Sequence, residues 1–473
     1  MYQSKFLYLL SSILLSSLCA CQSLNTDKAA VANPEQTASS LQAAWLQYGE
    51  QGQLSLRAIT TAEFCPAYQA DAQTLTMRVR AGAETMPLRP TVSKPELSKA
   101  SAFPVLSCEA ALPANVRQVQ LGQLSWQVPQ RVEKILVIGD TGCRTQASSN
   151  YYQACNDSQQ WAFASMVAEA VKHKPDLIIH VGDYHYRENA CPASEPACQG
   201  TPWGYGWDTW QADFFAPAKP LLQAAPWVFV RGNHETCQRG GQGWWRFLDP
   251  RPLIAGRDCR DAKDDLVGDY SPPYAVPFVN QAGQRQQIIV FDSAKVGYKV
   301  LSKQDIAWQT YQQQMQLVDQ LSQQASFNFF INHHPILGLA SERNKEGKLK
   351  IYPGNEVLQD VMHSLHAERL FPKSVQMTLA GHVHIFEALS FSSDHPAQLV
   401  SGNGGSSLDL PLPMPLPEST TVYPAAKIEQ FINSNAVGFL IMQAKGNEWQ
   451  IQAWDKDGHN YANCLSDKQK LRC

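Results

Sequence analysis

Leu177-Ile178-Ile179-His180-Val181-Gly182-Asp183-Tyr184-His185-Tyr186 opens as an apolar run and breaks at a glycine into residues able to bind a metal. A short, nearly unbroken apolar run is the signature of a strand covered on both faces. The glycine marks its end, where the chain must turn. Four other stretches repeat the pattern. Ile135-Leu136-Val137-Ile138 leads into Gly139-Asp140-Thr141-Gly142, and Trp227-Val228-Phe229-Val230 leads through Arg231 into Gly232-Asn233-His234-Glu235. Phe329-Phe330-Ile331 leads into Asn332-His333-His334-Pro335, and Met377-Thr378-Leu379-Ala380 into Gly381-His382-Val383-His384. Between them the spacing turns helical. Asp157 or Ser158 would cap a helix burying Trp161, Ala164, Val167, Ala168 and Val171. Ser302 with Asp305 forms a capping-box pattern before Ile306, Tyr311, Met315, Val318 and Leu321. Strands alternating with helices predict an α/β sheet fold, whose functional loops gather at the carboxyl ends of the strands. All five polar clusters sit there.

Each cluster alone says little: Gly-Asp is usually a turn, and Asn233-His234 could cap a helix. Their joint occurrence in this order, each at a strand end, points to one shared dinuclear metal site. Two neighbouring cations repel, so an anionic group must lie between them. Asp183 is the natural bridge and Asp140 a terminal oxygen ligand. The imidazoles of His333, His382 and His384 and the amide oxygen of Asn233 complete the set. The two histidines of Gly381-His382-Val383-His384 are two residues apart, so a tight turn must aim both at the metals. Mixed nitrogen and oxygen donors suit Zn, Fe or Mn better than Ca or Mg. A metal pair about 3.5–4 Å apart can clamp a phosphate and activate a water.

These five motifs resemble those of the calcineurin-like metallophosphoesterases, and among them most resemble the purple acid phosphatases. The resemblance spans roughly residues 131 to 460 and includes Ser401-Gly402-Asn403-Gly404-Gly405. It implies a four-layer α-β-β-α sandwich that hydrolyses phosphomonoesters of small molecules by in-line attack of a metal-bound hydroxide. Many relatives carry Asp-x-His in the first motif, where this chain has Gly142; Tyr186 would supply the missing ligand. By resemblance a ferric ion is held by Asp140, Asp183, Tyr186 and His384, and a divalent ion (Zn, Fe or Mn) by Asp183, Asn233, His333 and His382. His234 would face the phosphate and help protonate the leaving alcohol. Glu235 would orient its neighbours, and His334 either supports the ligands or meets substrate. His180, in an apolar strand, reads as a core residue. Trp203, Tyr205, Trp207 and Trp210 either wall the cleft or pack the core. The alternatives are a phosphodiesterase or nucleotide phosphohydrolase with the same centre, and an inactive lipoprotein scaffold.

Residues 42–130 alternate apolar and polar, as in Leu54-Ser55-Leu56-Arg57-Ala58-Ile59 and Leu124-Ser125-Trp126-Gln127-Val128. That period of two predicts a smaller all-β, sandwich-like domain before a catalytic domain at 131–473; it bears a weak resemblance to the fibronectin-like domain of some family members. Near the end, Leu410 to Pro417 reads as a Pro-rich loop, and runs at 438–442 and 449–454 as strands.

Ahead of all this, Lys5 precedes an apolar stretch from Phe6 to Leu18, which is short for a membrane span of about 20 residues. Leu18-Cys19-Ala20-Cys21 resembles a bacterial lipobox. Residues 1–20 are therefore expected to be a signal peptide, Cys21 the lipidated N-terminus and 21–41 a polar tether. Gln22 fits sorting to the outer membrane, at its periplasmic face or the cell surface. Of twelve cysteines, Cys19 and Cys21 are set aside, and the rest pair most simply in sequence order, as an oxidising compartment allows. Lys plus Arg number 39 and Asp plus Glu 42. Without a basic run, that balance gives no reason to expect a nucleic-acid partner.

Overall fold

The computed structural model describes residues 40–473; the signal peptide, the lipidation site Cys21 and nearly all of the tether lie outside them. Two large sheets face each other. One has seven strands, in the order Tyr274–Val279, Arg285–Val290, Asn328–Ile331, Val375–Ala380, Ala397–Ser401, Phe386–Phe391, Ile428–Ser434. The other has eleven and contains Gly438–Lys445, Lys134–Ile138, Leu177–His180 and Trp227–Phe229 side by side.

The apolar runs are continuous because both faces of each central strand are covered. Ile135 and Val137 point between the sheets to meet Ile288, Phe329, Ile331, Met377 and Leu379. Their neighbours Leu136 and Ile138 point outward onto Phe163, Met166 and Val167 of the helix Phe163–Ala170. On the far side Ile289 and Phe330 point out onto Tyr311, Met315 and Val318 of the helix Ile306–Ser322 and onto Val357 and Val361 of Glu356–His363. Helix, sheet, sheet, helix is the expected four-layer order. Lys134–Ile138, Leu177–His180 and Trp227–Phe229 run parallel, as do Arg285–Val290, Asn328–Ile331, Val375–Ala380 and Ala397–Ser401.

The first helix differs from its predicted phase. Ala164 and Ala168 are exposed, and the buried stripe is Phe163, Met166, Val167 and Ala170. Asp157 does not cap it; its carboxylate accepts the Gln159 N–H at 2.8 Å, closing a turn six residues before the helix. The second helix begins at Ile306, with Asp305 at its N-cap position. Of the expected capping box only one half forms, the Asp305 carboxylate accepting the Ser302 N–H at 2.7 Å, while the Ser302 hydroxyl turns to Gln304.

The N-terminal region is all-β, as read from its alternation. It forms its own core from Leu46, Leu56, Tyr68, Val119, Leu121 and Trp126, between a four-stranded sheet and the strands Leu41–Tyr48, Leu54–Thr60, Leu106–Ala111 and Arg78–Ala81. Those last four strands also continue the eleven-stranded sheet, because Leu41–Tyr48 pairs in parallel with Trp227–Phe229 through Gln47 and Trp227. Buried Arg57 and Arg80 strengthen that join. The Arg57 guanidinium donates to the Phe247 and Asp249 carbonyls, and Arg80 donates to the Arg251 carbonyl at 2.6 Å and the Asp249 carbonyl at 3.1 Å. The five disulfides among the described residues follow sequence order: Cys65–Cys108, Cys143–Cys155, Cys191–Cys198, Cys237–Cys259 and Cys464–Cys473. No helix among the described residues is long and apolar enough to cross a membrane.

Glu387, inside the seven-stranded sheet, is fully buried and accepts one hydrogen bond, from the Leu339 N–H at 3.1 Å. Its other oxygen has no partner among the described residues. Burial pushes the carboxyl up to about 8. Because the folded value lies above the unfolded one, the native protein keeps a proton that the unfolded chain releases, so stability falls as pH rises from about 4.5 to 8. Glu387→Gln should remove that slope. In denaturant titrations the variant should match the parent at pH 5 and exceed it at pH 8.5 by about 2–5 kcal/mol. Equal midpoints at both pH values would show that Glu387 stays charged in the fold.

Candidate metal centre

The strands deliver their polar residues through sharp turns. Asp140, Asp183 and His382 each follow a motif glycine at a strand end, and each holds a left-handed backbone, with φ of 56°, 60° and 70°. Non-glycine residues occupy that region at a cost and persist only where the surroundings fix them, typically at functional sites. The glycines leave room for ligands. A Cβ on Gly182 would come 2.5 Å from His333 Nδ1, and one on Gly232 would collide with the Asp183 carboxylate.

Seven side chains converge in two overlapping groups. In the first, the Tyr186 hydroxyl oxygen lies 2.9 Å from Asp140 Oδ1, 2.8 Å from Asp183 Oδ2 and 2.8 Å from His384 Nε2. In the second, His333 Nε2 lies 3.2 Å from Asp183 Oδ2 and 3.0 Å from Asn233 Oδ1, which is 2.9 Å from His382 Nδ1. Asp183 Oδ2 belongs to both groups, where a bridging ligand belongs. Asp183, His333 and His382 also stand close enough together to share one ion.

The chemistry of these donors fits cations. His333 Nδ1 donates to the Val181 carbonyl at 2.9 Å and His384 Nδ1 to the Ser407 carbonyl at 2.5 Å. With the Nδ1 proton so placed, each Nε2 turns inward, His333 onto the Asp183 and Asn233 oxygens and His384 onto the Tyr186 hydroxyl. Against the cost of burial, Asp183 and Asp140 pull both imidazoles up towards the charged form, and a bound cation would take the place of those ring protons. Lone pairs gathered this closely need positive charge between them. Ligand atoms held at about 2.0–2.2 Å on one ion and at right angles to one another lie about 2.8–3.1 Å apart, close to the spacing found here.

Gly142 has a structural reason for lacking a side chain. A Cβ there would press on the Tyr184 carbonyl, the Tyr186 N–H and the Asp213 carboxylate, at 2.8–3.0 Å. The space a histidine would need is taken by the segment that delivers Tyr186.

Around the seven converging side chains a second set of groups fixes them. The Glu235 carboxylate accepts the N–H groups of Asp183, Tyr184 and Gly232 at 3.1, 2.9 and 3.0 Å, tying the loops after Leu177–His180 and Trp227–Phe229 together. His234 donates its backbone N–H to Asp183 Oδ1 at 2.8 Å, and its ring lies 4.0 Å from that of Tyr186. Its Nδ1 is 2.9 Å from Glu188, which also meets Arg239 at 3.0 Å. Burial opposes charge on Glu188, yet Arg239 and His234 hold the carboxyl down at about 2. Burial and then the Arg239 charge hold the His234 imidazole down at about 4, against the pull of Asp183 and Glu188. His334 is fixed by Ser293 at 3.1 Å and lies 4.2 Å from the His382 ring.

His180 is a core residue, as read: it accepts the Gly182 N–H and stacks 3.9 Å from Tyr184. Tyr205, Trp207 and Trp210 are buried, and Trp207 and Trp210 pack against Phe215 and Phe247. Trp203 sits beneath the Lys99 ammonium. None of the four lines the cavity of about 720 Å³ that opens beside His382 and His384. Three supporting residues had no sequence signal of their own: Glu188; Asp213, whose carboxylate accepts the Tyr186 N–H at 2.8 Å; and Tyr298, whose hydroxyl lies 2.5 Å from His382 Nε2.

Several solved structures are similar. A purple acid phosphatase from yellow lupin (Lupinus luteus) seeds is 15% identical, with 89% of this chain and 73% of that one covered and a TM-score of 0.49. The structure of PhoD is 11% identical over 91% of each chain, with a TM-score of 0.48. A dimetal phosphatase from Danio rerio is 12% identical over 72% of this chain and 99% of that one, with a TM-score of 0.36. No curated protein sequence matches the chain. The family model for calcineurin-like phosphoesterases matches residues 133–386, more than half of the chain and all seven converging residues. This chain therefore belongs to the calcineurin-like phosphoesterases, a family built on a dinuclear metal centre.

Proposed function

We propose that this chain is an exported, lipid-anchored phosphatase that hydrolyses phosphomonoesters of small molecules, with Fe(III) at the tyrosine site and a divalent ion (Zn, Fe or Mn) at the other. The observation that carries the reading is the Tyr186 hydroxyl, 2.8–2.9 Å from Asp140, Asp183 and His384. A phenolate is a hard anionic donor, and it favours a ferric ion. Asp140, Asp183, Tyr186 and His384 would hold that ion, and Asp183, Asn233, His333 and His382 the divalent one. Two such ions, when bound, supply Lewis-acid charge for the phosphoryl group and acidify the attacking water.

The chain's own residues do the rest. Glu235 holds the Asp183 and Gly232 loops at a fixed separation, so the phosphoryl group would meet a preorganised site. Glu188, kept anionic by Arg239, fixes the His234 ring through Nδ1. That leaves His234 Nε2, 3.9 Å from Asp183 Oδ2, as the atom assigned to the leaving oxygen. The cavity beside His382 and His384 has room for a small phosphate ester.

Export rests on the lipobox-like segment ending at Cys21 and is supported by the five disulfides, which persist outside a reducing cytoplasm. The purified native protein should contain iron and cleave a simple aryl phosphomonoester much faster than the matching diester. Cys21→Ser should abolish fatty-acid labelling of the protein. Preference for the diester would transfer the reading to a phosphodiesterase, and unchanged labelling would remove the anchor.

A further inference from the structure

Arg144 stands two residues after Gly142, just past the first ligand loop. Its backbone is fixed on both sides: its N–H donates to the Gln153 side chain at 3.0 Å, its carbonyl accepts the Gln153 N–H at 2.8 Å, and the adjacent Cys143 is bonded to Cys155. The side chain, by contrast, has no anion. Among the described residues the guanidinium takes part in no ion pair within 4.0 Å, and its buried Nε has no hydrogen-bond partner. It lies 5.0 Å from the centre of the Tyr186 ring. It lines the same cavity as Tyr298, His334, His382 and His384.

A partly buried cation without a counter-charge costs stability unless something else gains from it. Arg187, Arg231 and Arg239, also near the centre, all have carboxylate partners. Arg144 instead presents a planar set of donors, suited to a phosphate or carboxylate, to the space in front of the ligands.

We propose that Arg144 binds the third non-bridging phosphoryl oxygen of the substrate and so sets the preference for monoesters over diesters. The inference rests on the phosphomonoester reading above and adds the residue responsible. A monoester dianion has three non-bridging oxygens. Two can face the metal sites, and the third, with its share of the second negative charge, is left for a cation on the cavity side. A diester has only two such oxygens and one charge, so its second ester oxygen, bearing a substituent, would meet the guanidinium and gain nothing from it.

The test uses metal-loaded, full-length protein with iron content measured for every variant. Arg144→Ala should lower kcat/KM for an aryl phosphomonoester about 10- to 100-fold, the range of a lost charge-assisted hydrogen bond. The matching diester should change less than threefold. Titration calorimetry should show inorganic phosphate bound at least tenfold more weakly, with dimethyl phosphate unaffected. Arg144→Lys, which keeps the charge without the fork, should fall between the two. If monoester and diester rates drop equally, or phosphate affinity is unchanged while the visible spectrum shifts, Arg144 acts on Tyr186 and the proposal is overturned. If the parent cleaves monoesters and Arg144→Ala does so equally well, the proposal fails and the phosphatase reading survives. A parent that prefers diesters sinks both.

Discussion

His234→Ala is expected to lower turnover of a phosphomonoester about 10²- to 10⁴-fold at acid pH while both metal ions stay bound, the loss typical of a positioned proton donor. With its imidazole held down at about 4, the ring carries a proton to donate only in acid, so the effect should fade towards neutral pH. The separation follows from how the residue is attached. His234 contributes its backbone N–H to Asp183 Oδ1 at 2.8 Å, and alanine keeps that bond. The side chain is directed elsewhere, with Nδ1 on Glu188 and the ring against Tyr186. Removing it should therefore leave the ligand loops in place and take away only the group aimed at the leaving oxygen. The effect should shrink for esters of good leaving groups, such as a nitrophenol, which need no proton. Glu188→Gln should give a weaker version of the same result, about 10- to 100-fold, because it releases the ring without deleting it. Metal analysis beside steady-state rates decides the matter. If iron and the second metal are lost in parallel with activity, His234 is a support for the ligands and another group serves the leaving oxygen.

The contrast between His234 and Glu188 also shows what a sequence makes legible. Each of the seven converging residues stands in a short motif at the end of a buried strand. The strand fixes position and the following turn fixes direction, so residue order alone carries most of the geometry. Glu188, Tyr298 and Asp213 have no such address. They reach the centre through contacts across 26 to 84 positions in the chain, as Asp213 does with Arg187 and Tyr298 with His382, and nothing local marks them. The same distinction explains the fold. The four layers follow from apolar runs that are visible locally. The pairing of Leu41–Tyr48 with Trp227–Phe229 does not, because an edge strand accepts any partner with free backbone groups. The helix Phe163–Ala170 was misphased for a simpler reason. Alanines at 164 and 168 satisfy a helical stripe as well as they satisfy an exposed face, and the larger Phe163 and Met166 win the core.

Tyr186→Phe is expected to bleach the protein's visible absorption completely and to weaken its hold on iron, while the fold and the second metal group survive. A phenolate bound to Fe(III) gives a charge-transfer band because its filled oxygen orbitals lie near empty metal levels. Zinc, with a full d shell, gives none. No other side chain at this position can take over. Gly142 has no room for a histidine, since a Cβ there already meets the Tyr184 carbonyl and the Asp213 carboxylate. The tyrosine ring is itself fully buried and placed by its own N–H on Asp213 at 2.8 Å, so phenylalanine should occupy the same volume with one oxygen missing. The remaining Asp140, Asp183 and His384 would then offer the first ion three donors in place of four. His333, Asn233 and His382 do not touch Tyr186 and should keep the divalent ion through Asp183. The readouts are the absorption spectrum, iron per chain, and thermal unfolding of the metal-free proteins, which should differ by no more than about 1–3 kcal/mol for one buried hydroxyl. A parent protein that holds one oxidised iron per chain and shows no visible band would rule out the tyrosinate ligand. A variant that keeps both its colour and its iron would do the same.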